Sequence, residues 1–527
     1  MKDLSALLNN TMLISEVDIM NSTLKSIEAA AITQVAGCGA IAGVLLAIFI
    51  SFVFSFEFET FKKKVKIKIE NDKSIQRNLI VLMLVLTLPL IISVLVIAYI
   101  YKIVCFIIIK RKDKHFVGFL DSFDVFWSLE DDATKSIISV LGVIESNSSQ
   151  ELVEHIKEKL QNIVQNSDSE KLFYRRNEEF GFYYWRKCCY IDISQYVRII
   201  DVANSVKLTT SDLEEIMTEI SYQPLPFNDE GMFQILITNQ KLRTRNGDDE
   251  YGIIFRIHHA VETYNVNSNK RPSNLLSMFS KLSEIPYCLV DGMLREPDRT
   301  SLHGPALTGK KFYKWTELND NLFRIVKEIK DSSKEFNFSD ILATALSCGL
   351  KDYFAKEIDP TPDNVAVILP IRFPQVKNGD DLKLENNFTV SILDLPIGTD
   401  ANDVRRCINK VRESADPLTN YYFLKICSIL PKDILYPMFN SSQATMVLSN
   451  MPGPKLLNIC GGVLKSLVFF VPNKGNTGLG VTALCYDGVL KFGAMGDSAI
   501  ISSPDELRII LDGMVREINR LHKEYVK

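Results

Sequence analysis

The sequence of 527 residues has little of what most catalytic signatures are built from. Its 10 cysteines include no CxxC pair, and none of its 6 histidines stands at zinc-ligand spacing, so no metal site is expected. Cys188 and Cys189 are neighbours, where a disulfide would be strained, and the thiols read as reduced and mostly buried. There is no GxGxxG after a strand, no Walker loop, no GxSxG elbow and no HExxH, which removes the dinucleotide, P-loop, serine-hydrolase and zinc-peptidase classes. HGPALTGKK (303–311) holds a Gly-Lys-Lys without P-loop spacing and reads as a solvated linker. An excess of either charge is also missing. Lys+Arg 60 against Asp+Glu 64 leaves a net charge of -4, so there is no basic footprint for nucleic acid. Gly 25 and Pro 19 are too few for a collagen-like or linker chain, and 46% hydrophobic residues exclude wholesale disorder.

What is present is concentrated apolar sequence. Residues 29–56 and 78–101 carry no charge, and each is long enough to cross a hydrocarbon layer of about 30 Å. They predict two membrane helices, about 31–56 and 78–101, within an anchor of residues 1–115. The second holds Pro89, which a membrane helix tolerates as a kink. Their connection is basic through Lys62, Lys63, Lys64, Lys66, Lys68, Lys73 and Arg77, which places it in the cytosol. Lys110, Arg111, Lys112 and Lys114 make the far end of the second run basic as well. Two topologies therefore stay open: two full spans with the large domain on the far side, or a hairpin re-entering at Pro89 with the domain cytosolic. The preference is for the cytosolic domain in an integral protein of the endoplasmic reticulum or plasma membrane.

After Lys114 the pattern is mixed α/β. Apolar positions three and four apart predict helices over 151–164, 211–220 and 338–354, and a last helix from Pro504. β-branched and aromatic runs predict strands, among them the run from Tyr251 that ends in His258 and His259. Alternation along that strand puts Ile253, Phe255, Ile257 and His259 on one face and Ile254, Arg256 and His258 on the other. An imidazole at the end of an apolar stripe stays neutral because burial disfavours its charged form, and a neutral imidazole is what a general base requires. The polar stretch around 295–315 reads as the link between two halves, 116–300 and 316–527, with 301–315 as the linker itself.

HHAVETY (258–264) resembles the HHxxxDG motif of the wax ester synthase/diacylglycerol acyltransferase family, on the fold of the CoA-dependent acyltransferases. The resemblance continues in order along the chain. LDSFDVFWSLED (120–131), with Asp124 and Trp127, is similar to the family's opening segment. PLPFNDEGMF (224–233) is similar to its Pro-Leu-Trp region, with Phe233 where the family has Trp. FSDILATAL, with Ser339 and Asp340, resembles its Asn-Asp helix. VILPIRF, LSNMPGP with Ser449 and Asn450, and CYDGVLKFGAMGD complete the series over about 116–525.

The resemblance implies a membrane-anchored α/β protein of two halves, like chloramphenicol acetyltransferase, with a tunnel at their interface. It implies direct transfer of a fatty acyl group from acyl-CoA, a co-substrate and not a bound cofactor, to a fatty alcohol or diacylglycerol. His259 is the implied general base and His258 a positioning partner. Ser449 and Asn450 are candidate oxyanion donors, and Asp340 and Phe233 are candidate substrate contacts. The Asp and Gly of HHxxxDG are Thr263 and Tyr264 here. That departure implies a second reading, a relative that binds lipid or acyl-CoA without turnover. Asn450 reads equally as a turn residue, Asp340 as a helix-terminus charge, and Asp497 and Arg372 as structural.

Overall fold

A computed structural model describes residues 73–166, 170–202, 206–243, 249–261, 284–292, 295–317, 321–333, 335–356, 360–372, 388–439 and 443–526. The first charge-free run, the basic connection up to Asp72, and Thr263 and Tyr264 lie outside these residues. The chain divides into two compact units at Val104/Cys105.

The second apolar run lies in one helix, Lys73–Lys112. Its stretch Ile80–Lys112 is long and apolar enough to cross a membrane by length and composition. At 1.5 Å per residue, about 20 residues suffice for the hydrocarbon layer. The helix passes through Pro89 without ending, so the chain does not turn back at that residue. Thr87 Oγ1 donates to the Met83 carbonyl at 3.0 Å and Ser93 Oγ to the Pro89 carbonyl at 2.8 Å, so both hydroxyls stay bonded inside the helix. The last two turns belong to the second unit. There Cys105 and Ile109 are buried, and Phe106 meets Phe116 and Phe119 edge-on.

The second unit is built on two six-stranded sheets. In spatial order one reads Lys311–Trp315, Val489–Asp497, Leu479–Tyr486, Met446–Pro452, Asn364–Arg372, Phe388–Pro396. Helices Phe338–Phe354, Pro504–Tyr525, Leu322–Ser333 and Ala401–Glu413 bury their apolar stripes against it, with alternate residues such as Val365, Val367, Met446 and Leu448. The other sheet reads Leu457–Ile459, Gly462–Phe470, Ile137–Glu145, Glu250–His258, Phe233–Thr238, Val197–Ile200. Its first two strands come from the C-terminal half, and Val468 stands opposite Leu141. The halves are thus tied by main-chain hydrogen bonds as well as by side chains. Residues 301–315, read as a linker, end in the strand Lys311–Trp315, which pairs along Val489–Asp497.

The alternation read from 251–258 holds. Ile253 lies in the core under helix Ser149–Asn166, with Phe255 and Ile257 packed on it. Ile254 lies in the opposite core, with Leu213 and Met217 of helix Thr210–Ile220 and with Val468 and Met495.

Candidate functional site

The strand carrying the histidines ends at His258, and His259–Val261 form a single 3-10 turn. Alternation therefore stops one residue before the sequence reading assumed. The Ala260 N–H donates to His258 Nδ1 at 3.1 Å and closes that turn. The His259 N–H donates to the Ser136 carbonyl at 2.8 Å.

His258 is buried in a charged cluster. Its Nε2 lies 3.3 Å from Glu130 Oε2 and 2.8 Å from Arg176 Nη1, while Arg176 Nη2 pairs with Glu130 Oε1 at 2.5 Å. Burial works to raise the Glu130 carboxyl, but the His258 imidazole, the Arg176 guanidinium and the Ser136 N–H outweigh it and hold the group well below the usual carboxylate range. Burial pushes the His258 imidazole down, against the pull of Glu130. A neutral ring carries one proton. Nδ1 faces the Ala260 N–H and Nε2 faces an Arg176 N–H, which can only donate, while Glu130 offers an acceptor beside Nε2. With both ring nitrogens engaged and the ring buried, His258 is not free to act as a base.

His259 has different surroundings. Its ring is stacked on Trp127, with centroids 3.7 Å apart and planes 8° apart, and Phe388 stands at 5.3 Å with a 36° tilt. Trp127 sits on helix Ser122–Ser128 of the N-terminal half, and Phe388 opens an edge strand of the C-terminal sheet. His259 is therefore placed where the two halves meet, between aromatic faces. Stacking of this kind contributes about 0.5–1.5 kcal/mol beyond burial and fixes the ring. Phe123 and Tyr421 extend the aromatic contact across the same junction, with ring centroids 5.3 Å apart.

The helix under Trp127 is fixed from several sides. Lys171 Nζ pairs with Asp124 Oδ2 at 3.1 Å, so the opening-segment Asp124 is a buried structural charge. Lys474 reaches over from the C-terminal half and donates to the carbonyls of Phe126, at 2.9 Å, and Leu129. Both acceptors lie at the C-terminal end of the helix, where the Phe126 carbonyl also takes the Leu129 N–H at 3.3 Å. Burial drives the Lys474 ammonium down to about 8.

The other sequence candidates take local roles. Asp340 caps helix Phe338–Phe354 in a capping box with Asn337 and pairs with Arg412 at 2.9 Å, as the helix-terminus reading expected. Phe233 is a core residue stacked on Tyr196 at 4.7 Å and 21°, which corrects the expectation of a substrate contact. Its side chain falls on the face under helix Ser149–Asn166, where the core encloses it. Ser449 is buried and Asn450 exposed, both within strand Met446–Pro452, in register with Thr482 and Ala483. Asn450 is thus a strand residue and not the turn residue that Met-Pro-Gly-Pro suggested. The Gly of that motif is explained by close approach. The Gly453 N–H donates to the Cys485 carbonyl at 2.9 Å, and a Cβ at Gly453 would strike the same carbonyl. Asp497 accepts from Thr308, Gly309 and Ala499 and is structural. Among the described residues no group of acidic, histidine and cysteine side chains could hold a metal ion.

Sequence reasoning missed Glu130 and Arg176. Glu130 lay inside the quoted segment LDSFDVFWSLED, but nothing local ties it to a histidine 128 residues away. Arg176 stands on strand Arg175–Glu179 of a small separate sheet, where its run RRNEE looks like a solvated edge.

Residues 384–521 match the family model described as the WS/DGAT C-terminal domain. No curated protein matches the sequence. Among solved structures, the chain is similar to the wax ester synthase/diacylglycerol acyltransferase from Marinobacter aquaeolei VT8, at 14% identity and a TM-score of 0.53, over 77% of this chain and 100% of that one. It is also similar to the trichothecene 15-O-acetyltransferase from Fusarium sporotrichioides, at 11% identity and a TM-score of 0.51, over 76% of this chain and 94% of that one. The first condensation domain of the calcium-dependent antibiotic synthetase matches at 13% identity and a TM-score of 0.50, over 78% and 97%. At these identities the structural likeness shows the fold: the two-half, chloramphenicol-acetyltransferase-like α/β architecture expected from the sequence. The likeness in sequence to the WS/DGAT family lies in residues 384–521.

Proposed function

We propose that this chain is an O-acyltransferase that moves a fatty acyl group from acyl-CoA to a fatty alcohol or diacylglycerol, giving wax ester or triacylglycerol. The observation that carries this reading is the placement of His259, stacked on Trp127 of one half and facing Phe388 of the other, in a chain whose residues 384–521 match the WS/DGAT C-terminal domain. In this mechanism His259 takes the acceptor's hydroxyl proton as its oxygen attacks the thioester carbonyl. The tetrahedral oxyanion is met by hydrogen-bond donors, for which Ser449 and Asn450 are the candidates. Collapse breaks the carbon–sulfur bond, and the imidazolium returns its proton to the leaving CoA thiolate. The carbonyl is attacked directly by the acceptor, so no nucleophilic Ser or Cys is needed. The apolar helix Ile80–Lys112 supports membrane anchoring, which suits an acceptor and a product that both dissolve in lipid. A cytosolic acyl donor asks for a cytosolic domain, at the endoplasmic reticulum or plasma membrane; with the helix unbroken at Pro89, that places the connection before Lys73 on the far side.

Thr263 and Tyr264, in place of Asp and Gly, favour a second reading, a relative that binds acyl-CoA or lipid without transfer. One assay separates the two. Purified full-length protein is given a long-chain acyl-CoA with fatty alcohol and diacylglycerol in competition, and esters are identified by mass. Ester formation above the uncatalysed rate is expected. Saturable acyl-CoA binding with no ester from either acceptor would establish the second reading.

A further inference from the structure

Between the two histidines and the rest of the protein stands a loop, residues 127–136, that touches both. Trp127 stacks on the His259 ring. Three residues on, Glu130 accepts from the Ser136 N–H at 2.8 Å through Oε2, the oxygen that also faces His258 Nε2. Ser136 also offers its carbonyl to the His259 N–H. One carboxylate thus addresses His258 by its ring and His259 through the backbone of a single residue. Arg176 closes the arrangement by pairing with Glu130 Oε1. Asp131, the next residue, accepts from the Ala133 and Thr134 N–H groups at 3.0 and 2.7 Å and tightens the turn that brings Ser136 back to Glu130. Lys474 holds the Leu129 carbonyl immediately before Glu130, so the loop is fixed from the C-terminal half too.

We propose that Glu130 is the positioning residue of the histidine pair. It braces the His258 ring and, through Ser136, sets the backbone from which His259 meets the substrate. Arg176 is its counter-charge. A buried carboxylate beside a buried imidazole would be costly without it. Glu130 touches no reacting atom, so its effect on turnover passes through His259. The kinetic part of this inference rests on the acyl-transfer reading, while the coupling of Glu130 to the two rings does not.

The test has two arms. In the first, 15N-histidine-labelled full-length protein in detergent is read by NMR. Replacing Glu130 by Gln should move the ring 15N signals of His259 as well as those of His258. His259 signals unmoved by Glu130→Gln overturn the proposal whether or not the protein is active. In the second arm, Glu130→Gln is made alone and with His259→Ala, with thermal melts confirming that each variant is folded. Misplacement of a reacting group by about 1 Å costs on the order of 100-fold, so Glu130→Gln should lower kcat by about 10- to 100-fold. KM for acyl-CoA should stay within about twofold, since on this reading Glu130 acts on turnover and not on binding. In the His259→Ala background the same change should cost nothing further, because residues acting as one unit are non-additive. A full kcat in Glu130→Gln, or an equal loss in both backgrounds, overturns the positioning role. If wild type forms no ester, the acyl-transfer reading fails and the NMR comparison still decides whether Glu130 sets the pair.

Discussion

Replacing Gly513 by alanine should destabilise the protein even though alanine is the better helix former. Gly513 lies in the interior of helix Pro504–Tyr525 and faces Gly349 of helix Phe338–Phe354. On propensity alone the change gains about 1 kcal/mol. A Cβ at Gly513, however, would stand 2.7 Å from the Gly349 Cα and 2.7 Å from Asp352 Oδ2. The carboxylate can swing away, but the Cα is backbone and moves only with its helix. Ordinary contact begins near 3.4 Å, so the two helices must part by several tenths of an ångström along the densest packing of the C-terminal core. Overpacking of this kind costs about 1–3 kcal/mol, and a backbone obstacle argues for the upper end. The clash should therefore win by about 2 kcal/mol, a fall of a few degrees in melting temperature. The assay is thermal unfolding of full-length protein in detergent, followed by far-UV circular dichroism. Gly292→Ala is the control, because a Cβ there meets nothing within 4 Å. It should leave the melting temperature unchanged or slightly higher. A Gly513→Ala variant melting at or above wild type would refute the reasoning, since propensity would then have outweighed contact.

Two further predictions concern charge and the anchor. Lys474 is held at about 8 when folded and returns to about 10.4 when unfolded, so the unfolded chain binds more protons between those values and Lys474 contributes stability as pH rises through that window. Wild type should gain up to about 3 kcal/mol over Lys474→Met between pH 8 and 10, measured as the difference between their denaturation free energies. A difference that shrinks with rising pH reverses the predicted sign. For the anchor, deleting residues 1–104 should release a folded, membrane-free protein. Deleting 1–112 should also remove buried Cys105 and Ile109 and the Lys112–Glu179 pair, and leave a protease-sensitive product. Equal protease resistance of the two truncations would show that the last two helical turns do not support the fold.

Much of the fold could be read locally, and the failures share one cause. Helix 338–354 is found with the ends that its pattern predicted, because an apolar stripe runs its length; its start is closed by the capping box of Asn337 and Asp340. The alternation of 251–258 is legible because each face enters a different apolar core. Lys311 and Lys314, by contrast, made 301–315 look solvated. Both are buried: Lys314 pairs with Glu214 at 2.6 Å, and burial lowers Lys311 to about 8. Partners that offset such a burial lie far away in sequence, so a local pattern does not show them. The same holds at the site. His258 and His259 could be picked out by type and spacing. That His258 is engaged on both nitrogens depends on Glu130 and Arg176, which only the tertiary fold brings together. The 3-10 turn after His258 was hidden too, since it is closed by a hydrogen bond to the His258 ring and not by a Gly or Pro signal.

The most direct measurement compares turnover of His259→Ala and His258→Ala with wild type in the full-length protein, using acyl-CoA and the preferred acceptor. Loss of the general base should lower kcat by about two to four orders of magnitude. Loss of His258, which holds the loop and moves no proton, should lower it less and leave the dependence on the His259 base intact. Full turnover in His259→Ala, or a deeper loss in His258→Ala than in His259→Ala, would contradict the assignment of His259 as the base at the junction of the two halves.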